Sequence, residues 1–121
     1  MTGVQTCALP ISEIPDPALG AIGAGKVNLT PMRSLAVDRA FWAFGTPLFL
    51  ETDYPPESPQ AGQAIQRLMF AQDTGSAIKG LVRGDVYFGC GEAAAVNAGH
   101  MKQPGKLTAL LPRALAAKLA P

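Results

Sequence analysis

Glycine and proline set the grain of this chain. There are 13 glycines and 11 prolines among its 121 residues, and they interrupt most apolar runs. A glycine inside a helix costs about 1 kcal/mol and a proline about 3 kcal/mol relative to alanine, whereas strands accommodate both at bends, bulges and edges. The chain is therefore confined to short elements joined by tight turns. SLAVD at 34–38 and FGTPLFLET at 44–52 read as short strands that pair across a Gly45 turn. IQRLMFAQD at 65–73 reads as a buried strand delivering Asp73 to the TGS turn, and GLVRGDVYFGCG at 80–91 as a strand bent tightly by its glycines. GEAAAVNAGHMK at 91–102 has the composition of a short helix, with Gly99 weakening its last turn, and PGKLTALLP at 104–112 gives a turn and a final strand. DYPPESPQAG at 53–62 is expected to be an exposed loop free to vary in length and without chemistry. The segment 114–120 is helical in composition but marginal in length. Together these elements point to a small, mainly β barrel rather than a sandwich or a doubly wound sheet.

Composition bounds the partners. Ten Lys plus Arg against nine Asp plus Glu give a net charge of +1, so no strong field recruits nucleic acid or anionic lipid. No apolar run reaches the roughly 20 residues of a spanning helix. The two cysteines, Cys7 and Cys90, lack the spacing of a zinc site or disulfide framework, and Cys90 reads as an unpaired small residue. No metal site and no cofactor is expected. MTGVQTCALPI at 1–11 looks like the in-frame translation of a sequencing-library adapter and is set aside from fold reasoning. Residues 12–27 read as an irregular lead-in, 28–112 as the domain and 113–121 as a tail, with upstream sequence expected to be missing.

Several local motifs fall short of a site. GAIGAGKV at 20–27 approaches a phosphate-binding loop, but Val27 replaces the Ser or Thr that would hold magnesium, so a Gly-rich connection is the simpler reading. His100, the one histidine, reads as a surface residue at a helix end. DTGSA at 73–77 matches the aspartic-protease signature, without a later apolar-apolar-Gly partner segment. Asp38, Asp73 and Asp85 remain, each set between apolar segments. Burial and a neighbouring carboxylate both raise a carboxyl pKa and so keep a proton available for general-acid work. Alternatively, each caps a turn by accepting backbone N–H groups.

LTPMRSLAVDRAFWAFGTPLFLET, RLMFAQDTGSAIKGLVRGDVYFGCGEAA and AGHMKQPGKLTALLP closely resemble the 3D domain of the membrane-bound lytic murein transglycosylase A family, named for three aspartates that fall here on Asp38, Asp73 and Asp85. The resemblance runs from about Asn28 to Pro112. It departs at Met32, where glycine is expected, and at His100, where arginine is usual. It implies a double-psi β-barrel with one or two short helices, incomplete here because N-terminal strands and an inserted second domain are absent. It also implies cleavage of the β-1,4 bond between N-acetylmuramic acid and N-acetylglucosamine in peptidoglycan, with formation of a 1,6-anhydro ring. Asp85 would be the catalytic acid, with support from Asp73 and a structural or groove-lining role for Asp38. Gly75, Ser76, Ala77 and Lys79 would line the glycan groove. The implied setting is the periplasm at the outer membrane, in contact with the cell-wall synthesis and hydrolysis machinery. A non-catalytic glycan-binding barrel is the alternative, since expansin-like relatives bind polysaccharide without cutting it.

Overall fold

The structure, a computed structural model, describes Val4–Gln5 and residues 22–119. The expectations for the other residues of 1–21 and for 120–121 lie outside this range. In chain order the elements are β1 (Val4–Gln5), β2 (Ser34–Val37), β3 (Pro47–Asp53), β4 (Ala64–Asp73), β5 (Gly84–Tyr87), α1 (Glu92–His100), β6 (Lys106–Ala109) and α2 (Arg113–Leu119). The strands form one mixed sheet in the order β1-β5-β2-β4-β3-β6. Strands β1 and β5, and β2 and β4, run parallel, while the other neighbours are antiparallel. Among the described residues the sheet does not close. This mainly β architecture with two short helices is that of an incomplete barrel.

Burial follows the strand period of two. In β3, Leu48, Leu50 and Thr52 are buried and the residues between them are not. Leu35 and Val37 of β2, Ile65, Met69 and Ala71 of β4, and Val86 of β5 join Leu48 and Leu50 in one apolar cluster. Helix α1 covers this cluster with Ala94 and Ala98, one turn apart on the same helix face. The opposite face of β2 and β5 carries Ser34, Ala36, Asp85 and Tyr87, with Tyr87 packed on Leu29.

Three sequence expectations need correction. Strands β2 and β3 do not pair, because β4 lies between them. All four β2 residues are buried, which calls for a neighbouring strand on each side. The chain also leaves β2 through a turn, with the N–H groups of Phe41 and Trp42 donating to the Asp38 carbonyl, instead of folding straight back. Second, the proline-rich loop is not wholly exposed: Pro55 is fully buried and Ser58 is 7% exposed. Asn97 of α1 donates to Gln60 Oε1 at 3.4 Å, and Ser58 Oγ donates to the same oxygen at 2.9 Å, so the loop docks on the helix. Third, Cys90 is disulfide-bonded. His100, by contrast, is exposed at the end of α1 as expected, with Nδ1 near the Val96 carbonyl oxygen.

The Gly-rich lead-in forms a tight turn closed by a bridge between Ile22 and Asn28. It docks on β4 through the Gly25 N–H, which donates to the Gln72 carbonyl at 3.0 Å. Gly23 is needed for that approach, since a Cβ there would lie 2.5 Å from the Gln72 oxygen and 2.7 Å from Leu29 Cδ2. Met32 adopts φ 61°, the left-handed region that favours glycine, which gives a physical reason for the glycine expected there. Gly23→Ala should cost about 1–3 kcal/mol through overpacking against backbone, read as a lower urea midpoint. Gly75→Ala, whose Cβ would meet the movable end of Ile78 at 3.2 Å, should cost less.

Candidate active site

The three aspartates converge around Ala36. Strand β5 pairs Asp85 with Ala36 from one side, and β4 pairs Asp73 with Ala36 from the other. Laterally paired residues project to the same face of a sheet, so Asp73 and Asp85 flank the small Ala36 side chain, with their Cα atoms two strand spacings, about 10 Å, apart. Asp38 follows β2 two residues after Ala36. All three are buried, with 7%, 7% and 6% exposure for Asp38, Asp73 and Asp85.

Asp73 reaches this face only because β4 is irregular. Leu35 pairs with Ala71 and the next residue, Ala36, pairs with Asp73, so Gln72 is an extra residue in the ladder. Residues 71 and 73 would otherwise share a face, and Asp73 would point into the apolar cluster with Ala71. The bulge turns it to the other side. The Gly-rich turn then covers the bulge, and the Ala24 N–H donates to Asp73 Oδ1 at 2.9 Å. A pocket of about 210 Å³ adjoins the bulge, lined by Gly25, Val27, Phe44, Gly45, Ala71 and Gln72. The larger groove, about 660 Å³ between Arg33, Tyr54 and Arg67, contains none of the predicted site residues.

Asp38 ties two loops together. Its Oδ1 accepts the Ala40 N–H at 3.0 Å and its Oδ2 accepts the Gly80 N–H at 2.8 Å. These bonds to Gly80 and Ala40, and more weakly the Lys79 charge, hold its carboxyl below the usual range against the opposing effect of burial. Trp42 Nε1 donates to the Leu81 carbonyl at 2.9 Å, joining the same two loops at a second point. Thr74 Oγ1 donates to the Val37 carbonyl at 2.8 Å and fixes the start of the loop after β4. Within that loop the Ile78 N–H donates to the Gly75 carbonyl and the Ile78 side chain is buried. Ser76, Ala77 and Lys79 are left exposed and Gly75 half-buried.

Asp85 differs in kind. Burial pushes its carboxyl above the usual range, opposed by the Arg83 guanidinium, whose Nε donates to Asp85 Oδ1 at 2.9 Å. A buried carboxyl with an elevated pKa is what a general acid requires. Arg83, Gly80 and Ala24 are site residues that sequence reasoning passed over. Arg83 had a signal, since it stands two residues before Asp85 in VRGDVY, within reach of that carboxyl. Gly23 and Gly25 had one too, because closely spaced glycines allow backbone to approach backbone.

The two carboxyls should respond to pH with opposite signs. Asp38 has a depressed folded pKa, so its stabilisation is present above the unfolded value and is lost as pH falls through the folded one. Asp38→Asn should lower the melting temperature at pH 7, with the gap to wild type narrower at pH 3. Asp85 has a raised folded pKa, so the native state loses stability as pH rises from the unfolded value through the folded one. Asp85→Asn should melt at the same or a higher temperature at pH 7, and any advantage should vanish near pH 3. Calorimetric scans of both variants at the two pH values check this.

Comparison with known proteins gives a consistent identification. The family model described as "3D domain" matches residues 33–111. The membrane-bound lytic murein transglycosylase A of Vibrio cholerae is 34% identical over 94 residues, covering 77% of this chain and 25% of the relative. The lytic transglycosylase LtgG of Burkholderia pseudomallei superposes with a TM-score of 0.72 at 48% identity, over 79% of this chain and 28% of that one. MltA from Neisseria gonorrhoeae superposes with a TM-score of 0.70 at 41% identity, over 78% of this chain and 24% of that one. E. coli MltA with bound chitohexaose does so with a TM-score of 0.69 at 34% identity, over 76% and 28%. The chain thus spans about a quarter of the length of these relatives. The bulged strand, the aspartates around Ala36 and these matches lead to one conclusion: the chain belongs to the 3D-domain family of the MltA-type lytic transglycosylases.

Proposed function

We propose that this chain supplies the acid-bearing barrel of a peptidoglycan lytic transglycosylase, with Asp85 as the catalytic acid. The observation that carries the reading is Asp85 itself, 6% exposed, raised in pKa by burial and set opposite Asp73 across Ala36. The substrate is the glycan strand of peptidoglycan, in keeping with the chitohexaose bound by E. coli MltA. A single carboxyl serves both steps. Protonated Asp85 gives its proton to the glycosidic oxygen between N-acetylmuramic acid and N-acetylglucosamine as the C1–O bond breaks. The resulting carboxylate then takes the proton from the C6 hydroxyl of the muramic acid as that oxygen bonds to C1, closing the 1,6-anhydro ring. No water is consumed, and the acid is regenerated.

Asp73, held by the Ala24 N–H, faces the same side of the sheet as Asp85 across Ala36, in a supporting place beside the reacting sugar. Asp38 acts structurally: the bonds from Ala40 and Gly80 keep the loops on either side of the site in place. The loop from Gly75 to Lys79 lies next to Asp38 through Gly80, with Ser76, Ala77 and Lys79 open to a ligand. Its exposed backbone and the Lys79 ammonium suit sugar hydroxyl and acyl oxygens. No helix of the described residues is long and apolar enough to cross a membrane. The setting proposed for the protein is the periplasmic side of the outer membrane, alongside the cell-wall machinery, in line with the name of the Vibrio relative.

One observation favours the glycan-binding alternative: Asp85 faces Arg83 at 2.9 Å, and an ionised carboxyl does not donate a proton. Digestion of purified peptidoglycan by the protein from the complete reading frame separates the readings. Wild type should release anhydro-muropeptides, identified by mass spectrometry, and Asp85→Asn should release them roughly 10²–10⁴-fold more slowly. Reducing-end products would mean hydrolysis. Binding without release from folded wild type would sink the catalytic reading and leave the binding one.

A further inference from the structure

An acid that must carry a proton sits here against a guanidinium. Arg83 Nε donates to Asp85 Oδ1 at 2.9 Å, a charge-assisted contact that favours the carboxylate. Arg83 lies at the end of the turn that precedes β5, closed by its own N–H donating to the Gly80 carbonyl, and Asp85 is the second residue of the strand. Only Nε is engaged: among the described residues no hydrogen bond or ion pair occupies the two terminal nitrogens of Arg83. The Arg83 side chain is 29% exposed and that of Asp85 9%, so the arginine is the more accessible partner.

The other charged groups around Asp85 are already committed. Asp73, across Ala36 on β4, accepts the Ala24 N–H. Asp38, at the end of β2, accepts from Ala40 and Gly80, and the Lys79 charge acts on Asp38. Strand β1 pairs with β5 on its far side, through Val4 and Gln5. Arg83 is the cation that acts on Asp85, and it is held by one of its nitrogens.

We propose that Arg83 is a positioning residue handed over from Asp85 to the bound glycan: sugar acyl and hydroxyl oxygens draw the guanidinium off the carboxyl, and Asp85 takes up the proton it later donates. The planar guanidinium suits this exchange, because its free N–H groups form a fork that can engage an acyl oxygen while the Nε bond is released. The proton comes from solvent hydronium, whose O–H bond is exchanged for the carboxyl O–H bond of Asp85, and no other covalent bond forms or breaks in the hand-over. Burial then works unopposed on Asp85, so the acid form becomes populated when a substrate is present. The inference rests on the glycan reading above and adds to it a substrate-triggered charging of the acid.

The test is a carbon-detected NMR titration of the Asp85 carboxyl in the protein from the complete reading frame, labelled at aspartate, with and without chitohexaose. Wild type should show a roughly tenfold or greater rise in Asp85 proton affinity on sugar binding, the scale expected for loss of an adjacent opposite charge. Arg83→Met should start at the higher affinity and move little when sugar is added, and Arg83→Lys should behave between the two. With peptidoglycan, Arg83→Met should extend the alkaline limb of the kcat/KM profile to higher pH and raise KM. Amide shifts in the 74–80 loop report binding separately. Shifts there with an unmoved wild-type Asp85 titration would overturn the hand-over while leaving the glycan reading intact. An absence of sugar-induced shifts would overturn both. If Arg83→Met fails to fold, the wild-type titration with and without sugar decides by itself.

Discussion

The site depends on one extra residue in one strand. Gln72 bulges from β4 between the pairings of Ala71 and Asp73 with β2, and that insertion decides which face Asp73 occupies. Without it the carboxyl would enter the apolar cluster beside Ala71 and Met69, where an isolated charge is costly. With it, Asp73 and Asp85 flank Ala36. The turn at residues 22–28 depends on the same bulge, since the Gln72 carbonyl accepts the Gly25 N–H and Gly23 leaves room for it. A structural irregularity thus links the Gly-rich lead-in to the carboxyl it covers.

The two faces of β2 divide the work. Leu35 and Val37 face the cluster under α1, while Ser34 and Ala36 face the side that carries the aspartates. A four-residue strand buried on both faces is rigid because packing constrains it from both sides. This gives the flanking acids a well-packed floor. The loops at its end are held by polar contacts from Asp38, Trp42 and Thr74. Their backbones can therefore approach a ligand while their anchors remain tied to the sheet.

The same residue type sits in different environments here, and the proposed roles follow from them. Asp38 is stabilised as an anion by backbone N–H groups, and Asp85 is destabilised as an anion by burial. Arg83 acts on Asp85 in the opposite direction to burial, through the Nε contact at 2.9 Å. Such a pair, pushed apart in proton affinity within one site, is the usual physical basis for assigning distinct structural and acid roles to like groups.

Much of this was legible in the sequence. The Gly and Pro spacing limited the chain to short elements, and the strands at 34–37, 47–53, 64–73 and 84–87 and the helix at 92–100 lie where apolar patterning put them. The three aspartates stood out as acids bounded by apolar segments. These are local properties, set by propensity and side-chain period. Strand order was not local: β2 and β3 looked like a hairpin, but β4 came between them because fully buried β2 needs a neighbour on each edge. The burial of Pro55 and Ser58 was likewise hidden, since it depends on Asn97 and Gln60 meeting across the fold. The sequence by itself determined which residues are acids and which segments are strands. Only the tertiary structure decided which acids face each other, because a one-residue bulge reverses a side chain's face and no local pattern records where the register slips.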